Sequence, residues 1–413
     1  MTTSGVKFTS MSALALILSL AAANAQDANP NAGTIDQVKF GDVWADMDVH
    51  VPEYTHEVGS ASTAVGNTAA AQRKSGDVTA EISQSFDGSS RATNRLRGYS
   101  AGTAVATTTA YGNASSGGTN YGYNAYHAQQ DAAGTIDAYT QVELLGGNEV
   151  AAATTSIANV STTDNNFGNN YADQTQYSSA GVNSETDADM YANAYSATFA
   201  TTAGGNAMST NGYTSSNYNR ALQKTETGST IRGVTDTYIT DGTNVTSATN
   251  SFGNSATVDN EWGYATLGLD GAETKQENGA DVDAQSYLTL DNWSGYASSS
   301  AYGVGNSALV SNIGSDTAIY ADQENTGTVT SQASFTGESW TGGAGVVTST
   351  AIGNAATASV CNYCSDGAVG GRINQTNSGQ VYATGSATTT YGGSVYGSAT
   401  AVGNSATLQS TGD

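Results

Sequence analysis

Proline, cysteine and histidine are nearly missing from this chain, at 2, 2 and 3 in 413 residues. So few histidines and cysteines leave little material for a histidine-based triad or a multi-ligand transition-metal site. Basic residues are scarce too, 12 against 36 acidic ones, for a net charge of −24. That balance argues against nucleic-acid binding, which needs a basic face to displace counterions, and against docking on anionic lipid. Val, Ile, Leu and Phe together make only about 14% of the chain, below the ~20% at which disorder becomes the default. Yet Tyr, Thr, Val and Ala are plentiful, whereas disordered segments are usually richer in Pro, Glu and Lys. Something other than a bulky core must order this chain.

Long apolar runs are also lacking, apart from one near the amino terminus. Residues 1–25 read as a secretory signal peptide: Lys7, then the apolar Met11 to Leu20, then small residues at Ala23 and Ala25 before Gln26. Ten apolar residues are too few to cross about 30 Å of hydrocarbon. Residues 26–36, which hold Pro30, read as a flexible leader, and residues 37–413 as one β-repeat domain. Export places Cys361 and Cys364 (CNYC) in an oxidising compartment, as a local disulfide or two loop thiols. A redox motif would need a βαβ setting, and none is visible.

What the chain does have is a repeat. A Gly-Asn pair recurs with Asn67, Asn113, Asn206, Asn254, Asn306, Asn354 and Asn404, and Asn159 fills the same slot after alanine. Successive asparagines lie 46, 46, 47, 48, 52, 48 and 50 positions apart. A second landmark, Gln37, Gln84, Gln130, Gln176, Gln223, Gln276, Gln323 and Gln375, precedes each asparagine by 29 to 31 residues. The return from Asn to the next Gln is 17 in five of seven cases, and 22 and 21 in the others. Two landmarks holding one phase over eight copies define eight units.

Within a unit the pattern is that of half-buried strands: Val381, Ala383, Gly385 and Ala387 share one face, and Tyr382, Thr384, Ser386 and Thr388 the other. No proline follows Glu53, as expected when nearly every N–H joins a ladder. Counting by twos through Val304-Asn306-Ala308 or Val402-Asn404-Ala406 puts the asparagine on the apolar face, where stacked amides can satisfy one another. The competing reading is a tight Gly-Asn turn. The fold expected is all-β, an elongated β-solenoid of about eight repeats of 46–52 residues, with an eight-bladed propeller or fibril-forming repeats as alternatives. Two rungs per repeat would give a rod of roughly 75 Å, and three roughly 115 Å.

No residue is assigned to catalysis, a cofactor or a metal. Asp187/Asp189 and Asp281/Asp283 lack the glycine-rich nonapeptide of calcium-binding β-rolls and read as solvated carboxylates. His50 and His56 read as surface residues. Arg91, Arg95 and Arg97, with Arg73 and Lys74 nearby, form the one basic cluster. Tyrosine is the notable surplus: Tyr111, Tyr121, Tyr123, Tyr126, Tyr391 and Tyr396 sit among Gly, Ser, Thr and Asn. Such rings either cover strand faces or make many weak contacts to a polysaccharide.

An exported, acidic, Tyr/Asn/Gly/Thr-rich chain with A-V/I-G-N-S/A-A-T units, at Ala351 to Thr357 and Ala401 to Thr407, resembles the holdfast anchor protein HfaD family of stalked bacteria. The resemblance implies a non-enzymatic, secreted, outer-membrane-associated surface adhesin. Its partners would be the holdfast or another surface polysaccharide, the anchor proteins HfaA and HfaB, and further copies of itself. The units also resemble curli-type fibre subunits, from which this chain departs in its doubled repeat length. A fibre-forming matrix subunit is the alternative function, and a β-helical carbohydrate-active enzyme the third.

Overall fold

The computed structural model describes residues 33–338, 341–361, 367–390 and 393–411. The signal peptide expected over 1–25, Cys364 and hence the Cys361–Cys364 pairing, and Tyr391 lie outside the described residues. Every regular element within them is a strand. Each repeat makes one coil of a parallel β-solenoid, and each residue pairs with its equivalent one whole repeat away. Gly33 stands opposite Ala80, Gly33–Phe40 in register with Ala80 to Asp87, and the same rule runs to Ser394–Thr411 at the other end.

A coil has two short outgoing segments and one long return run. Coil 1 comprises Gly33–Phe40, Val43–Val51 and Thr55–Arg73. Coils 2 and 3 run almost unbroken as Val78–Thr119 and Tyr123–Asn166. Coil 4 is Asn169–Ser178 and Gly181–Tyr213, and coil 5 is Ser216–Thr225 and Thr230–Glu261. Coil 6 is Ala265–Leu267, Thr274–Asn278 and Asp281–Ile313. Coil 7 is Thr317–Asn325, Val329–Gly337 and Thr341–Cys361, and coil 8 is Val369–Asn377, Val381–Thr389 and Ser394–Thr411.

The return run folds back over both outgoing segments. Gln84 of the first segment donates to the Ala114 carbonyl of the return run at 3.0 Å, and Thr154 of the return run donates to Thr140 of the second segment at 2.6 Å. The molecule is therefore two parallel sheets face to face, built by one chain. A propeller is excluded, because its blades pair strands within a repeat.

One coil per repeat corrects the two or three rungs expected from the sequence. Eight coils at ~4.8 Å stack to roughly 35 Å, while a return run of 18 residues spans about 60 Å. The body is a slab, wider than it is tall, and shorter than either rod. The flexible leader expected over 26–36 is also trimmed, since Gly33 to Asp36 already pair with Ala80 to Ser83.

The landmark amides explain why the coils hold phase. Asn67 donates to Asn113 at 2.8 Å, and the relay continues through Asn159, Asn206, Asn254, Asn306, Asn354 and Asn404 at 2.8–2.9 Å. The glutamines run the other way: Gln84 donates back to Gln37 at 2.8 Å, and so on to Gln375, which donates to Gln323 at 2.8 Å. Each spare amide hydrogen meets a backbone carbonyl of the facing sheet, as in Asn254 to Glu277 O (2.9 Å) and Gln223 to Ser255 O (2.8 Å). A buried primary amide so satisfied is stabilising, whereas an unsatisfied one is costly.

The strand does not run straight through the asparagine, as counting by twos had assumed. Val65 pairs with Tyr111 and Asn67 with Asn113, but nothing joins Gly66 to Gly112. The inward set passes from Ala64 directly to Asn67. Each Gly is thus a β-bulge that shifts the parity by one. A Cβ on Gly253 would stand 2.5 Å from the Gly305 carbonyl oxygen, so the slot favours glycine. The bulge turns the preceding apolar residues outward: Tyr111, Ile157, Phe252 and Val304 form their own cluster, with Val65 and Ile352 packed against it.

The interior is small-sided along most of its width, with Ala, Thr and Ser filling the gap. Threonine hydroxyls climb between the sheets as a staircase through Thr108, Thr140, Thr154, Thr186, Thr201, Thr235 and Thr249 at 2.6–2.8 Å. Bulky residues gather at one end, where the second outgoing segment turns into the return: Leu96, Leu144, Met190, Ile239, Leu290, Trp293 and Phe335.

Gln174 stands out in this interior. It is fully buried with both amide atoms unbonded among the described residues. In its column the neighbouring coils supply Ala128 and Ala221. Gln174→Met keeps the volume and removes the orphaned groups, so it should stabilise the protein by about 1–3 kcal/mol. A raised urea midpoint at unchanged slope is the expected readout; a lower midpoint would show that the amide is satisfied in solution.

Candidate functional site

Eight residues beyond the landmark asparagine, the return run ends and the chain turns into the next coil. That position carries Tyr121, Phe167, Thr214, Trp262 and Gly314 in successive coils. From coil 3 to coil 6 the turn takes a left-handed residue: φ is 56° at Phe167, 51° at Thr214, 61° at Trp262 and 78° at Gly314. Glycine adopts this freely, but a bulky aromatic does so at a cost of about 1–3 kcal/mol, and such strain clusters where side chains are needed for contact.

The rings stand out from this corner. Tyr121, Phe167 and Trp262 are 58%, 47% and 41% exposed. Tyr121 stacks on Phe167 at 5.2 Å with planes 8° apart, and Phe167 meets Tyr213 edge-on at 5.4 Å. One short segment inward, Tyr218 and Tyr264 lie 5.4 Å apart, and His127 and Tyr171 6.0 Å apart. Beside the ridge run two shallow grooves. One of about 430 Å³ is lined by Asn211, Tyr213, Asp259, Asn260, Glu261 and Ile313 among others, and one of about 460 Å³ by Arg73, Lys74, Asn120, Asp164 and Asn166 among others. Asn166 donates to Asn120 at 3.1 Å and Asn211 to Asp164 at 3.0 Å, so the amides are held in rows at coil spacing. Flat apolar rings flanked by amides and carboxylates can stack on the apolar face of a sugar and hydrogen-bond its hydroxyls.

The tyrosines singled out in the sequence divide. Tyr121, Tyr123 and Tyr396 are exposed, whereas Tyr111 and Tyr126 are buried. Burial raises the Tyr111 phenol and pushes that of Tyr126 up to about 12. Phe167, Tyr213, Trp262 and Tyr264 had not been singled out. Their signal was available as phase, a fixed offset from the landmark asparagine, and is invisible to composition.

The opposite corner brings together His50, Arg97, Tyr99, Glu143 and Tyr191 around a groove of about 710 Å³. Arg97 pairs with Asp48 at 2.6 Å, both half exposed, so this contact adds little stability. Arg91 and Arg95 lie in the same strand face on coil 2, between the acidic rows of coils 1 and 3. His56 meets Tyr54 edge-on at 5.4 Å. Asp187 and Asp189 face Asp236 and Tyr238 on the next coil, and Asp283 accepts from Thr330 at 2.6 Å. Among the described residues no group of three His, Cys, Asp or Glu is placed to hold a metal ion.

The outer acidic rows carry a pH signature. Partial burial raises the Asp189 carboxyl, and Asp187, Asp236 and Glu143 raise it further. Burial likewise raises Asp131, Asp137, Asp236 and Asp259. A carboxyl raised in the folded state disfavours folding once ionised: the penalty is absent below the unfolded value and complete above the folded one. Stability should therefore rise as the pH falls from neutrality towards the ordinary carboxylate value of about 4. Thermal midpoints across that range test this, and a monotonic fall on acidification would contradict it.

No curated protein and no solved structure matches the chain. The family model described as HfaD, Holdfast attachment protein D, matches residues 52–328, two thirds of the length. The matched span contains the whole aromatic corner from Tyr121 to Gly314.

Proposed function

The chain belongs to the holdfast attachment protein D family, and on that premise we propose that it is a non-enzymatic surface anchor that grips an adhesive polysaccharide. The observation that supports this reading is the exposed aromatic ridge of Tyr121, Phe167 and Trp262, the last two on strained left-handed backbone, flanked by rows of asparagine and carboxylate. Side chains repeated at coil spacing let many weak contacts sum to strong retention. Secretion by the amino-terminal segment, association with the outer membrane through a partner, and company with HfaA and HfaB belong to the same proposal.

Deleting the gene should shed the adhesive material while cells stay otherwise intact, and unchanged surface adhesion would count against anchoring. Purified protein incubated with the surface polysaccharide should bind it and release no reducing ends. New reducing ends would overturn the non-enzymatic reading and favour a carbohydrate-active β-helix.

A further inference from the structure

The coils fall out of step at one place. Within a continuous pair of strands among the described residues, register slips only where the second outgoing segment turns into the return run. The slips lie between Leu144 and Gly147, between Met190 and Asn193, and between Trp293 and Tyr296. Bulges of this kind re-aim side chains and gather beside functional sites. Here they leave rings standing out: beside the slip in coil 4, Tyr191 and Tyr195 are 51% and 64% exposed. Tyr99 of coil 2, Leu145 of coil 3 and Tyr296 of coil 6 are exposed at the same corner. The groove of about 710 Å³ around Tyr99 and Tyr191 is followed, on coils 3 to 6, by a second of about 540 Å³.

Asn148, Asn193, Tyr195, Asp241 and Asn292 are among the residues lining this second groove. Asn193 stands opposite Asp241, and Asp241 opposite Asn292, so amide, carboxylate and amide follow one another at coil spacing. The frame around them is held: Tyr296 N donates to Asn244 Oδ1 at 3.3 Å, and Trp293 packs edge-on against Phe335 at 5.2 Å. Asparagine both donates and accepts, a carboxylate accepts from hydroxyls, and a tyrosine ring offers a flat apolar face. That set fits the hydroxyls and C–H faces of a sugar. No lysine or arginine lines the groove, and in its neighbour Arg97 is already paired with Asp48, so an anionic ligand finds no counter-charge. A protein partner would ask for a contiguous apolar patch, whereas these rings are set apart by amides. We propose that this corner is a second, separate site for a neutral stretch of polysaccharide, so that one molecule grips two chains and cross-links them. The inference rests on the reading of the Tyr121–Trp262 corner as a polysaccharide site and extends it.

Distance keeps the two sites apart. Tyr195 and Tyr213 stand at the two ends of one return run, eighteen residues from each other. At ~3.3 Å per residue that is roughly 60 Å. A short oligosaccharide therefore reaches one corner or the other, and only a long chain reaches both. Since both corners hold a long chain together, weakening either should lower its retention by nearly that corner's own factor. Two grips at a fixed separation also tie one chain to another, which a single corner cannot do.

Short oligosaccharides cut from the surface polysaccharide are the probe, titrated calorimetrically against the protein. The parent should bind two. Tyr191→Ser with Tyr195→Ser removes two exposed rings and should weaken the second corner by roughly 30-fold, leaving one. Asp241→Asn keeps the shape of the groove and should weaken the same corner by roughly 5-fold, which serves if circular dichroism shows the double variant misfolded. Combining Tyr121→Ala, Phe167→Gly and Trp262→Gly should likewise leave one. With the long polysaccharide, the parent should form cross-linked aggregates that dissolve in excess protein, and the ring variant of either corner should bind without cross-linking. One oligosaccharide per parent molecule, bound equally well by both second-corner variants, would overturn the inference and leave the first corner standing. Cross-linking that persists in the Tyr191→Ser, Tyr195→Ser variant would overturn it too, because association between copies would then account for it. A parent that binds no oligosaccharide and no polysaccharide would overturn the polysaccharide reading itself, and this inference with it.

Discussion

Asn254→Ala is expected to cost about 3–5 kcal/mol, because it orphans three buried groups at once. Asn254 sits at 0% exposure in the middle of the relay. It accepts from Asn206 at 2.8 Å, donates to Asn306 at 2.8 Å and donates to Glu277 O at 2.9 Å. Alanine leaves an amide hydrogen, an amide oxygen and a peptide carbonyl without partners in a dry interior. In a stack where each coil touches only its neighbours, such a break should also divide the unfolding into two transitions. The control is Asn404→Ala, an exposed member of the same relay, which removes one accepted bond beside solvent and should cost under about 1 kcal/mol. Calorimetry of both variants decides it: equal costs would mean that the relay contributes nothing beyond a single hydrogen bond.

Asn254→Asp sharpens the point through pH. An ionised carboxylate would place an acceptor against Asn306 Oδ1 and Glu277 O, and only the neutral acid can donate there. Its folded pKa must therefore lie above the ordinary value of about 3.9. The variant should approach the parent's stability below that value and lose it as the pH rises through the folded pKa. A variant equally stable at acid and neutral pH would show that the slot is wet.

The second large effect is on retention of the polysaccharide. Combining Tyr121→Ala, Phe167→Gly and Trp262→Gly removes three exposed rings, each worth about 1 kcal/mol in a stacked contact. The loss should be roughly 100-fold in affinity for the glycan. Glycine at positions 167 and 262 also relieves the left-handed backbone at φ 56° and 61°, so folded stability should hold or rise. That combination of weaker binding with an undamaged fold is what a contact surface predicts and a packing role does not. Tyr302→Ala, on the long outer face away from the corner, should leave binding unchanged. Retention equal to the parent in the triple variant would remove the ridge from the reading.

The eight-fold repeat and its all-β character were legible because asparagine and glutamine landmarks kept phase along the chain. Residues that stack at coil spacing must recur at coil length, so the period is written in the sequence. The two longer returns were visible too. One is the excursion of Gly268 to Glu273 in coil 6, across which the register moves from Ala265 opposite Asn217 to Lys275 opposite Leu222. Less legible was the parity at each Gly-Asn. Val304 and Asn306 are two apart, but the bulge at Gly305 sends one out and the other in. Nothing in an alternating pattern marks an extra residue when every coil carries the same one. The aromatic corner was hidden for a related reason. Its members are of three residue types, and what unites them is position after Asn113, Asn159 and Asn254.

By itself the sequence determined the number of units, their strand character and the amides that bind each unit to the next. Those are properties of periodicity, which is one-dimensional and survives without a fold. Only the tertiary structure decided that a whole repeat makes a single coil, giving a slab in place of a rod. It also decided that the two amide relays point in opposite directions. The physical reason is that coil size depends on where the chain turns back. That is settled by which segments can face each other across a thin interior, and facing residues such as Thr140 and Thr154 share no spacing that a linear pattern reveals.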